Sequence, residues 1–256
     1  VVERMVLLDN CGLKVAFGEN PKRVYGEKNK IPVTRMAVAG LLREKFVQAL
    51  EWQREKEQEK EKRSIFPEKR DLQHESFIAV LRGDIPLRVH AHRADDMMTA
   101  IRIAEEFGVK IILEHCMEGR FIAREIAARN IPVVYGPMFL GRVKQELREM
   151  DEATPALLSQ AGIKLAITTD HPELSIKHLS LSAAVAVREG LDEIAALKAI
   201  TINAAEILGV ASKVGSLVPG KDADLAIWTG MPFELRSKVG AVLINGSPVY
   251  DALSIF

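Results

Sequence analysis

The chain has 256 residues, 48% of them hydrophobic, enough for one large domain or for one domain with a small companion. Lys plus Arg and Asp plus Glu both number 35, so the formal charge is zero and nothing asks for nucleic acid or an anionic membrane as partner. Apolar runs such as VKIILEHCM (109–117) are far too short to span a bilayer, no signal-peptide pattern opens the chain, and two cysteines make no disulfide framework, so a cytoplasmic setting is expected.

Residues 13–18, LKVAFG, read as a short buried strand, and Pro21 follows where a turn or helix can begin. Residues 34–63 are predicted helical: Thr34 can cap, and Ala39, Leu42, Phe46, Ala49 and Leu50 share a face. That helix runs into REKEQEKEKR (54–63), whose local charge balance fits a solvated helix end or a loop. From residue 86 the chain becomes regular, with strands over 86–92, 109–115, 131–136 and 163–170. Helices are predicted over 94–108, closed by Gly108, then 119–130, 154–162, 178–189 and 192–208. The strands are continuous apolar runs rather than alternating ones. Strand and helix at this rhythm mean a parallel sheet covered by helices. After Gly209 the texture turns β-rich, with turns at PGKD (219–222) and NGSP (245–248). That tail is too small for a core of its own and is expected to complete a sheet with another part of the chain.

Polar residues close nearly every regular strand: His90 and His92, His115, Tyr135 and Asp170. In a (β/α)-barrel the strand C-termini build the active site. Imidazole and carboxylate are the ligands zinc and similar cations take. A lone strand-end histidine is more often structural. Three metal-type residues at three strand ends bring a metal site level with that alternative.

The runs ITTDHP (167–172), ALKAITINAAEILGV (196–210) and VGSLVPGKDADLAIW (214–228) resemble the amidohydrolase superfamily, in its imidazolonepropionase-like and cyclic-amide hydrolase branch. The resemblance implies an α/β fold, a partial (β/α)8 TIM-type barrel over 1–209 with a small C-terminal β-sandwich element over 210–256. It implies a divalent metal, zinc first, as one or two ions. His90 matches the strand-5 ligand, His115 the strand-6 ligand, and Asp170 the strand-8 aspartate that binds metal and shuttles the proton. The implied reaction is hydrolysis of a C–N bond in an amide or cyclic amide by a metal-activated water. Ring-amidine deamination on the same scaffold is the rival reaction, and a non-catalytic subunit with an incomplete site is the rival class. Residues 91–94, Ala-His-Arg-Ala, lack the Glu that deaminases often carry there, which favours the amidase side.

The family also carries a strand-1 His-x-His, preceded by half of the β-sandwich. Here the single His-x-His is at 90–92 and the chain opens at Val1. The chain therefore reads as a family member lacking its first two or so strands, expected to form a homo-oligomer or to pair with the missing N-terminal segment. Glu19 is a further candidate metal ligand, the alternative being a helix-N-terminal Glu that favours the dipole. His92 and His171 are candidate substrate contacts; Arg93 and Lys22 are weaker candidates for an anionic group. His74 and His178 read as surface or helix residues. Cys116 is expected to point away from the site.

Overall fold

The computed structural model describes residues 5–61, 70–139 and 141–254. They fall into two compact units, Asn10–Cys116 and Val1–Asp9 with Met117–Phe256.

In the first unit, β1 (Leu13–Ala16) leads into α1 (Glu19–Gly26), α2 (Arg35–Glu61) and α3 (Leu72–Leu81). Then come β2 (Leu87–Ala91), α4 (Ala94–Phe107) and β3 (Ile111–His115). The strands β1, β2 and β3 pair in parallel in that order, with Ala16 opposite His90, His90 opposite Glu114 and Ala91 opposite His115. Leu87, Val89, Ala91 and Leu113 are wholly buried, as expected for strands buried on both faces. Thr34 caps α2 as its sequence predicts: its Oγ1 accepts from the Ala37 N–H at 3.0 Å. The apolar face of α2 carries Val38, Ala39, Leu42, Phe46 and Ala49, whereas Leu50 is only half-buried. Phe46 stacks on Phe107 at 4.6 Å and meets Phe77 edge-on at 5.1 Å, so α2, α3 and α4 share one aromatic core. Arg35 reaches both carboxylate oxygens of the buried Asp96, at 3.1 and 3.0 Å, and ties the start of α2 to the first turn of α4. Gly108 ends α4 in the left-handed conformation, φ 65°, as its glycine predicts.

α3 has no counterpart among the predicted elements. Its signal is Asp71, which accepts from the Gln73 and His74 N–H groups, followed by Phe77, Ile78 and Val80 turned into the core. Asp71→Ala removes this cap and is expected to cost about 1 kcal/mol, read as a lowered urea midpoint with unchanged slope. The charged run is helical as far as Glu61; Lys62 and Arg63 lie outside the described residues.

In the second unit, the expected helix over 119–130 is a 3-10 turn, Gly119–Ile122, followed by the short α5 (Ala123–Ala127). Next come β4 (Val133–Tyr135), α6 (Thr154–Gln160) and β5 (Leu165–Ile167). β4 and β5 pair in parallel. Gly136 follows β4 with φ 136°, and a Cβ there would lie 2.0 Å from the Thr168 carbonyl oxygen, so only glycine allows this approach. α7 (Leu179–Arg188) is followed by α8 (Glu193–Ala199) and α9 (Ile202–Leu208), two helices where the sequence suggests one. The break falls at Thr201, whose φ −133° and ψ −100° leave helical space. β6 (Leu225–Trp228), β7 (Val239–Ile244) and β8 (Ser247–Asp251) form an antiparallel sheet in that order. Among the described residues these three strands pair with one another. No described helix is long and apolar enough to cross a membrane.

Candidate functional site

The first unit gathers three imidazoles at the ends of β2 and β3. The His90 ring lies 4.3 Å from that of His115 and 4.8 Å from that of His92, and His92 lies 5.1 Å from His115, measured between centroids. All three are buried. His90 and His92 share a strand face by the period of two. His115 does not belong there by register, because it stands opposite Ala91, on the face away from His90. Its backbone explains the meeting. His115 has φ 76° and Cys116 φ 51°, two consecutive non-glycine residues in the left-handed region. The turn swings the His115 ring back to His90. Such conformations cost on the order of 1–3 kcal/mol each and persist only where surrounding structure holds them. Part of that hold is the Cys116 N–H, which donates to the Ala91 carbonyl at 3.0 Å.

Below the rings the same sheet face is charged. Glu114, next to His90 in register, accepts from the Arg88 guanidinium at 2.7 Å from Nε and 2.6 Å from Nη2. Its other oxygen pairs with Lys14. Arg88 and Glu114 are largely buried while Lys14 is half exposed. Burial pushes the Arg88 guanidinium below its ordinary range, the cost of holding a charge there. A charged residue inside the run VKIILEH was the available signal for this arrangement, since buried Glu needs a partner.

Glu19 is not at a strand end. β1 stops at Ala16, and Glu19 is the first residue of α1, half-buried, in the first turn where a carboxylate complements the helix dipole. Its neighbour Asn20, which sequence reasoning passed over, sits nearer the imidazoles: its side-chain nitrogen is 3.2 Å from His90 Nε2. Arg93 is engaged on Asp95, at 2.9 Å from both Nε and Nη2. Cys116 is fully buried, and burial pushes its thiol up, which removes it as a nucleophile.

Asp170 and His171 belong to the second unit, in the turn after β5, and both are exposed. Asp170 has φ 50°, its N–H donates to Thr168 Oγ1 at 3.1 Å, and its carbonyl accepts from Glu173 N–H at 2.9 Å. Tyr135 is buried at the end of β4 and its hydroxyl donates to the Asp151 carbonyl at 3.0 Å, a structural role. Glu146, on the 3-10 turn Gln145–Leu147, is a buried carboxylate of the same unit that no sequence signal singled out. This unit also holds a cavity of about 520 Å³ lined by Arg120, Arg142 and Arg148 together with acidic residues. Arg120 and Arg148 are already paired there with Glu149 and Asp151, at 3.3–3.9 Å, so the cavity offers no unmatched charge for a ligand.

Residues 74–249 match the model of the amidohydrolase family. The crystal structure of an amidohydrolase from Thermotoga maritima MSB8 superimposes with a TM-score of 0.93 at 45% identity, covering 98% of this chain and 65% of that one. Amidohydrolase tasK of Hapsidospora irregularis is 28% identical over 256 residues, 93% of this chain and 26% of its own length. An imidazolonepropionase of Maricaulis maris is 28% identical over 174 residues, 66% of this chain and 42% of its own. The chain belongs to the amidohydrolase family, and its fold is α/β of the (β/α)-barrel class with a separate small antiparallel sheet. It spans 26% and 42% of the lengths of these two curated relatives.

Proposed function

We propose that this chain carries part of the active site of a metal-dependent hydrolase of C–N bonds in amides or cyclic amides. The observation that carries the reading is the buried trio His90, His92 and His115, brought together by strained backbone at the end of β3. Buried imidazoles within 4.3–5.1 Å of one another are a donor set that zinc and related first-row cations accept. The family membership and the likeness to an imidazolonepropionase support the same reading.

In this proposal His90 and His115 hold the divalent metal, with Asp170 completing the site and Glu19 as a further carboxylate. When bound, the metal polarises the substrate carbonyl and lowers the pKa of a water. Asp170 accepts the proton of that water and returns it to the leaving nitrogen. His92 and His171 face substrate. Residues 210–256 contribute to a β-sandwich and the rest to the barrel, and the substrate is a small molecule.

Metal analysis tests the reading. The whole protein, dialysed against metal-free buffer, is expected to retain one or two divalent ions, and His90→Ala and His115→Ala are each expected to lose them. A panel of cyclic amides and ring amidines separates amide hydrolysis from ammonia release. Unchanged metal content in both histidine variants, or full hydrolysis by chelator-treated protein, would reject the proposal.

A further inference from the structure

We infer that Asn20 is a positioning residue that holds His90 as its Nε2–H tautomer, so that Nδ1 is the ring nitrogen offered to a cation. The metal clause rests on the function proposed above; the tautomer itself does not. The two residues are 70 positions apart, and the chain is bent to bring them together. The Phe17 N–H donates to the His90 carbonyl at 2.9 Å, running the end of β1 alongside the histidine. Gly18 then adopts φ 83° and ψ −145°, backbone that is essentially glycine's alone. That bend starts α1 at Glu19 and sets the Asn20 amide 3.2 Å from His90 Nε2.

The amide can meet Nε2 with either end, since its oxygen and nitrogen occupy interchangeable positions. If the NH2 group donates, Nε2 must carry the lone pair, and in the neutral ring the proton sits on Nδ1. Nδ1 is then a donor and Nε2 is spent on the amide, so the ring has no lone pair left for a metal. If the amide oxygen accepts, Nε2 carries the proton and Nδ1 carries the lone pair. Only the second arrangement lets His90 ligate while the Asn20 contact is kept. A ligating histidine held through its other nitrogen by an oxygen acceptor is the arrangement that fixes both tautomer and ring orientation. Asn20 touches neither substrate nor reacting atoms here; it acts through His90.

Ring-15N-histidine protein, stripped with chelator and held near pH ~8.5 where imidazole is neutral, reports the tautomer directly by long-range proton–nitrogen NMR. His90 signals are assigned by their loss in His90→Gln. The wild type is expected to show His90 as Nε2–H. Asn20→Ala is expected to mix the two tautomers and to weaken zinc binding by about 10–100-fold. Asn20→Asp, which keeps the shape and the acceptor oxygen, is expected to restore the Nε2–H form, and it also serves where the alanine variant folds poorly. His90 found as Nδ1–H in the wild type, or an unchanged tautomer in a folded Asn20→Ala, overturns the inference. A protein that binds no metal yet keeps the Asn20-dependent Nε2–H form defeats the hydrolase reading and upholds this one.

Discussion

Asp170→Asn removes amide hydrolysis in the whole protein and leaves most of its metal in place. The amide keeps an oxygen that can face a cation but cannot accept a proton. The expected loss in kcat is about 10²–10⁴-fold, the usual worth of a positioned general base. The substitution is also structurally quiet. Asp170 sits at φ 50°, and asparagine is the side chain that tolerates the left-handed region most nearly as well. Its anchoring bonds use the backbone N–H and carbonyl, which the variant retains. Lost activity therefore reports on the carboxylate rather than on misfolding. Steady-state rates and metal content measured on the same preparation check this, and near-normal turnover would reject the role.

The largest stability effect is expected at a residue outside the proposed chemistry. Glu114→Ala leaves Arg88 buried beside no carboxylate, with only 13% of its side chain exposed. A guanidinium cannot shed its proton to escape, so breaking a buried pair of this kind costs about 3–5 kcal/mol. Lys14 contributes little to the penalty, because it is 53% exposed and returns to water. Replacing both partners, Arg88→Met with Glu114→Leu, removes the charges together and is expected to recover most of the loss. Urea unfolding of the two single variants and the double variant measures the coupling. Additive losses would show that the pair is not the source of the effect.

The sequence by itself determined the α/β class, because continuous apolar strands alternating with amphipathic helices have few other solutions. It also placed His90 and His92 on one strand face, since a period of two needs no tertiary information. The caps at Thr34 and Gly108 were legible for the same local reason. Other features needed the tertiary structure. His115 stands on the wrong face by register, and only the left-handed backbone at residues 115 and 116 carries its ring to His90. Asn20 reaches His90 across 70 residues through a bend at Gly18 that a string of letters does not display. α3 was hidden because its helix rests on an aromatic contact with α2 as much as on its own periodicity. The split between α8 and α9 turns on one residue's dihedral angles, where helix propensity on both sides reads as continuous. Periodicity and capping are local and written into neighbouring residues. Which side chains meet at a site depends on backbone strain and on contacts between distant segments, and these are decided only when the whole chain packs.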